Sequence, residues 1–177
     1  MYSFWFRLRE GLINFYPPLL GAGIRSRKID ERTMQIEMKL TALNRNIVGV
    51  HFGGSLYAMC DPWFMMILMR LLGSDYIIWD KAASIRFVKP GRGKVNAVFH
   101  VSQQRVDEIR SAADLSGKTE PTFFVDVVDE QGQVIAKVEK LLYVRRKNKI
   151  YHLVLILQNY LTSLSEQYLY LIKINCF

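Results

Sequence analysis

The chain has 177 residues, half of them hydrophobic, which is enough for one well-filled core and short for two. Its net charge of +8 favours anionic partners such as nucleic acid, a lipid surface or a phosphate-bearing cofactor, yet no nucleic-acid-binding motif accompanies the basic residues. Cys60 and Cys176 form neither a metal pattern nor a disulfide framework, and His51, His100 and His152 have no ligand spacing, which argues against a stapled secreted domain and a metal centre.

In chain order, Arg7 and Arg9 interrupt the apolar N-terminus where a signal peptide needs an unbroken run, so secretion is disfavoured and a cytoplasmic location is expected. Phe4, Leu8, Leu12 and Phe15 predict a helix over residues 3 to 15, stopped by Pro17-Pro18. From Ile29 to Leu43 the sequence alternates, with Met34, Ile36, Met38 and Leu40 on one face, and predicts a half-buried strand. Gly53 to Gly73 is apolar apart from Ser55, Asp61 and Arg70. It approaches membrane-spanning length, but Asp61-Pro62 divides it, and a long core helix with Leu56, Cys60, Trp63, Ile67 and Leu71 along one face is the better reading. Strands are predicted over Tyr76 to Val88, Lys94 to Ser102, Thr122 to Val128 and Val134 to Val144, with a helix from Gln103 to Leu115 and a tight turn at Glu130-Gln131-Gly132-Gln133. From Lys149 Gly, Pro and Ala are absent, so the division is a domain of residues 1–148 and a C-terminal extension, 149–177, expected to be helical and packed on it.

Asp61 is the residue hardest to reconcile with a purely structural helix, because a buried charge costs several kcal/mol unless it is paired or hydrogen-bonded. Two readings stand at this point. Asp61 is either the N-cap of a helix starting at Pro62, or a functional carboxylate desolvated in the core. Upstream, N-R-N-I-V-G-V-H-F-G-G (residues 44 to 54) places amides, a histidine and bare glycine backbone about two helical turns before the acid.

Asn46, Gly49, His51, Gly53, Gly54 and Asp61 together resemble the motif of the phenylacetyl-CoA thioesterase-like branch of the hotdog superfamily. The segments V-G-V-H-F-G-G-S-L-Y-A-M-C-D-P and W-D-K-A-A-S-I-R-F-V-K-P-G are similar to an uncharacterised family within it. The likeness covers about residues 10 to 146. It implies an α+β hotdog fold, a curved antiparallel sheet wrapped around a long central helix. It further implies a homodimer or tetramer hydrolysing acyl-CoA thioesters, with coenzyme A as part of the substrate and no separate cofactor. In such enzymes the pocket lies between subunits, so Gly53 of one chain would face Asp61 of the other.

Thioester hydrolysis needs a polarised carbonyl, an activated water or carboxylate nucleophile, and a clamp for the anionic carrier. Gly53 is the expected oxyanion donor through its N–H, Gly54 lets the carbonyl approach, and Ser55 assists the helix start. Asp61 is expected as general base or nucleophile. Asn46 either orients water or the substrate carbonyl, or caps a turn. His51 stands one residue earlier than the family's histidine, where Phe52 is found here, and is read either as a structural histidine or as a pocket group. Asp80 lies near the strand position that often supplies a polar helper in related enzymes, and it either raises the pKa of Asp61 or faces solvent. Arg86, Lys89, Arg92 and Lys94 cluster around Pro90-Gly91 and could hold the coenzyme A phosphates, or simply be solvated. A non-catalytic acyl-CoA or lipid-binding module and a hydratase or dehydratase remain as alternatives.

Overall fold

The computed structural model describes residues 11–147. The expected C-terminal extension, and the part of the predicted first helix before residue 11, lie outside the described residues. Within them Ile13–Phe15 form a single 3-10 turn. The proline pair does not stop a helix here; it starts one, α1 (Pro17–Gly21). Proline suits a first turn because its missing N–H would have no partner there and its φ is already helical.

The expected strand from Ile29 to Leu43 is β2 (Thr33–Lys39), shorter at both ends, and it is preceded across a turn at Asp30 by a further strand, β1 (Ile24–Lys28). Strand β1 escapes the sequence pattern because I-R-S-R-K offers one apolar residue. As the outermost strand it buries only Ile24.

The long apolar segment is two helices, α2 (Gly53–Ala58) and α3 (Trp63–Leu72), and not the one continuous helix expected. Pro62 brings no N–H to the turn before it, so the Ala58 carbonyl is met at 3.3 Å by the Asp61 N–H. The Trp63 indole N–H donates to the Met59 carbonyl at 2.7 Å and seals the gap. By length and composition Gly53–Leu72 could cross a membrane, but here it forms the core helices, half of that apolar stretch being buried.

The rest of the sheet follows: β3 (Tyr76–Phe87), β4 (Lys94–His100), the short β5 (Lys118–Thr119), β6 (Thr122–Asp129) and β7 (Val134–Arg146). Helix α4 (Gln103–Ser116) precedes β5; Ser102 caps it by accepting from the Arg105 N–H, and Gly117 ends it at φ +75°. All pairings are antiparallel, in the order β1-β2-β4-β6-β7-β3, with β5 pairing β7. Ile36, Met38, Val95, Phe99, Val127, Val138 and Leu142 from the sheet bury with Trp63, Phe64, Ile67 and Leu68 of α3 in one core. Phe64 stacks on Phe123 and meets Phe99 edge-on.

Two irregularities position the site. One is the helix break at Met59 to Pro62. The other is a bulge in β3 between Asp80 and Ala82, where Asp80 pairs with Leu142 and Ala82 already with Leu141. The extra residue moves the inward phase of β3 from Tyr76, Ile78 and Asp80 to Ala83, Ile85 and Phe87.

Candidate active site

Asp61 lies in the helix break. Its carboxylate is not the N-cap of α3: that position is held by Pro62, without a side-chain cap bond. Nor is it desolvated in the single chain, where 48% of the side chain is exposed. Its partner is Lys140 of β7, a residue sequence reasoning passed over. Lys140 Nζ donates to Asp61 Oδ1 at 2.8 Å, and the Tyr57 hydroxyl donates to the same oxygen at 3.0 Å. Lys140 is fully buried, reaches Asp80 Oδ1 at 3.2 Å, and lies over the Tyr57 ring at 5.4 Å.

The electrostatics follow from that packing. Burial works against the Lys140 ammonium, but the Asp61 hydrogen bond and the charges of Asp80 and Asp61 outweigh it, so its pKa rises above the ordinary lysine value. Burial also pushes the Asp80 carboxyl above the usual carboxylate range, and Lys140 only partly offsets this. The Tyr57 phenol is raised by burial and by donating to Asp61. Cys60, beside Asp61, is pushed up to about 12 by burial and is no nucleophile at neutral pH.

One signal in the sequence marks Lys140. Along Val134, Ala136, Val138, Lys140, Leu142 and Val144 it is the single charge on an otherwise apolar alternation. The structure buries that phase, so the ammonium enters the core between Val138 and Leu142.

The upstream motif builds a second feature. Asn46, Val50, His51, Gly53, Leu56, Phe87, Val88, Lys89, Pro90 and Gly91 line a pocket of about 450 Å³. Asn46 is the organiser of its loop: Oδ1 accepts from the Val48 and Val50 N–H groups, both at 3.1 Å, and Gly49 turns the chain at φ +82°. Asn44, which sequence reasoning did not single out, is buried and ties the loop down, accepting from the Thr41 N–H and donating to the Ala22 and Lys39 carbonyls. His51 is buried, with Nε2 at 3.0 Å from the Gly93 carbonyl. Since a carbonyl only accepts, Nε2 carries the proton and Nδ1 is left with a lone pair and no partner. Burial holds the His51 pKa below its ordinary value, partly offset by the Gly93 bond.

Gly53 and Gly54 open α2, where no preceding turn supplies acceptors for their N–H groups. A Cβ on Gly53 would come within 2.9 Å of Phe87 Cζ, so the bare backbone is what lets that ring close over the helix start. Ser55 is buried, and its backbone N–H donates to the Phe52 carbonyl. Lys89 lines the pocket and donates to Gln133, whereas Arg86 and Arg92 are exposed. Thus the structure groups Asn46, His51, Gly53 and Lys89 around one pocket and Asp61 with Asp80 around Lys140; Asp61 is not among the pocket's lining residues.

A broken helix wrapped by a curved antiparallel sheet in this strand order is the hotdog fold. The solved structures that resemble it share that architecture. A protein of unknown function and probable thioesterase from Pseudomonas aeruginosa superposes with a TM-score of 0.71 at 20% identity, over 80% of this chain and 95% of that one. A thioesterase from Haemophilus influenzae gives 0.59 at 13% identity, over 82% and 92%. The PaaI protein of the E. coli phenylacetic acid degradation operon gives 0.57 at 18% identity, over 84% and 97%. No curated protein matches the chain by sequence. Residues 7–144 match the family described as domain of unknown function DUF4442, and the chain belongs to it.

Proposed function

We propose that this protein hydrolyses acyl thioesters of coenzyme A in the cytoplasm, with Asp61 as general base toward water. One observation carries the reading. A carboxylate in a helix break accepts two hydrogen bonds on one oxygen, from Lys140 and Tyr57, and remains half exposed, so it can meet a water molecule. The fold, shared with proteins described as thioesterases, is consistent with that chemistry.

In the proposed reaction the Gly53 N–H holds the carbonyl oxygen as it gains charge. Asp61 takes a proton from the attacking water, and the thiolate of coenzyme A leaves. The pocket at Gly53 and the Asp61 carboxylate belong to separate groups of residues in one chain, so a homodimer bringing Gly53 of one protomer to Asp61 of its partner completes the site. Strand β3 supports such pairing: it is twelve residues long, among the described residues lies at the sheet edge and pairs only with β7, and is exposed over most of its second half. Lys89 in the pocket lining, with Arg86 and Arg92 nearby in sequence, offers positive charge to the carrier's phosphates.

The test is release of free thiol from acetyl-, octanoyl- and palmitoyl-coenzyme A. The wild type is expected to turn over at least one of them, and Asp61→Asn to lower kcat by about 100-fold or more with the fold retained. Binding without turnover in the wild type would replace this reading with a non-catalytic acyl-carrier module.

A further inference from the structure

Asp61 has two carboxylate oxygens, and the chain treats them differently. Oδ1 accepts from Lys140 Nζ at 2.8 Å and from the Tyr57 hydroxyl at 3.0 Å. Among the described residues no donor reaches Oδ2. An exposed aspartate on a helix end would ordinarily rotate about its side-chain bonds, and each rotamer would point its basic lone pairs elsewhere. Two donors on one oxygen, arriving from different elements, leave one orientation.

The Lys140 ammonium is itself held in place. It stands on the inward face of β7, fully buried, between Val138 and Leu142. Asp80 flanks it at 3.2 Å from the β3 bulge, and the Tyr57 ring lies beneath it at 5.4 Å. Asp80 comes from the β3 bulge, Tyr57 and Asp61 from helix α2 and the break after it, and Lys140 from β7, the neighbour of β3. Each place departs from the simplest rule for its element: a bulge in a strand, a proline break in a helix, a charge on an apolar strand face. Such departures converging on one carboxylate are what a positioned reactive group requires. A lysine introduced only for stability would not be favoured here, since an apolar side chain in that slot would avoid the cost of desolvating the charge.

We propose that Lys140 is a positioning residue for the hydrolytic reaction: together with Tyr57 it fixes Oδ1 of Asp61, so that Oδ2 is presented to the attacking water. This rests on the thioesterase reading. Lys140 does not touch substrate and transfers no proton. It acts through Asp61, with Asp80 as the counter-anchor of its ammonium. Its loss should therefore act on kcat, because substrate binding does not involve it, and misplacement of a catalytic group by about 1 Å can cost on the order of 100-fold.

The experiment measures thiol release from whichever of acetyl-, octanoyl- and palmitoyl-coenzyme A the full-length wild type turns over fastest. Lys140→Met is expected to lower kcat about 100-fold with KM changed less than about threefold, and Lys140→Arg to recover about tenfold of that loss. Tyr57→Phe, which removes one of the two donors, is expected to lower kcat by roughly three- to tenfold. A folded Lys140→Met protein with kcat near the wild-type value, a loss confined to KM, or a Lys140→Arg protein no better than Lys140→Met would each overturn the proposal. If Lys140→Met does not fold, Tyr57→Phe decides, and an unchanged kcat in it overturns the clamp. A wild type without turnover sinks the hydrolase reading instead. The Lys140–Asp61 link is then judged by the Lys140 ammonium resonance of 15N-lysine-labelled protein: a shift or loss of that signal in Asp61→Asn upholds the link, and an unchanged signal overturns it.

Discussion

Lys140 and Asp61 are 79 residues apart in the chain and 2.8 Å apart in the fold, one a fully buried ammonium and the other a half-exposed carboxylate. The asymmetry decides what each can tolerate. Asp61 can turn to water if its partner is removed. Lys140 cannot, and depends on Asp61 and Asp80 together.

That dependence gives the first prediction. Lys140→Met fills the slot with apolar volume but leaves two carboxylates near one another. Breaking a buried pair commonly costs 3–5 kcal/mol; with Asp61 free to solvate, about 1–3 kcal/mol is expected, read from urea unfolding. Adding Asp80→Asn removes the acid left inside, so the double variant should be more stable than Lys140→Met alone. Equal or lower stability in the double variant would mean that Asp80 is solvated without its lysine.

The glycines separate stability from function. At Gly53 an added Cβ meets the tip of the Phe87 ring, which is itself 54% exposed and can swing aside. Gly53→Ala should therefore change stability by less than about 1 kcal/mol, since alanine also favours the helix. It should nevertheless depress turnover, because the displaced ring lines the pocket. Gly91 differs: its Cβ would lie 3.0 Å from Ile135 Cγ2 and 3.1 Å from His51 Cδ2, both in buried side chains. Gly91→Ala is expected to cost about 1–3 kcal/mol, the usual effect of overpacking. Thermal unfolding of the two variants side by side checks the contrast.

Much of this architecture was legible before the coordinates, and the exceptions have physical reasons. Strands β3, β4, β6 and β7 and helix α4 show because their apolar residues recur at period 2 or 3.6 against polar neighbours. Strand β1 does not, because an edge strand burying one side chain needs no pattern. The helix break was visible as Pro62, but whether a proline kinks a helix or divides it depends on what satisfies the freed carbonyls, and that role falls to Asp61 and Trp63. Asp61 itself stood out as a misfit. Its partner is harder to see, because Lys140 directly follows Lys137 and Glu139, which lie on the outward phase of β7, and only the phase of the strand separates the one buried charge from these two exposed ones. Asn46, His51, Gly53 and Lys89, all singled out in the sequence, line one pocket because the 44–52 loop packs against the Pro90-Gly91 turn, with the His51 N–H donating to the Gly91 carbonyl.

Cys60 supplies a test of the core that does not depend on function. It is buried beside Asp61, with its thiol pushed up to about 12. In a Cys176→Ser background it should be inert to a thiol reagent at pH 8 in the native protein and should react at once in denaturant. Rapid modification without denaturant would show that the helix break opens readily.

The last prediction concerns acid. His51 is buried with Nε2–H donating to Gly93 and Nδ1 unprotonated, and its folded pKa lies below the ordinary value of 6.5. The folded protein thus binds fewer protons than the unfolded chain between that lowered pKa and 6.5, so stability rises with pH across this window. Above 6.5 the full contribution is present, and it is lost as pH falls through the folded pKa. Asp80 has the opposite sign: its pKa is raised from 3.8, so it makes the fold less stable as pH rises through its own window. Replacing His51 by Gln keeps an N–H that can reach Gly93 and removes the titration. The urea midpoint of the wild type should fall more between pH 7.5 and pH 5.5 than that of His51→Gln, by an amount equivalent to about 1 kcal/mol. Identical pH slopes in the two proteins would mean that His51 is protonated in the folded state as easily as in the unfolded chain.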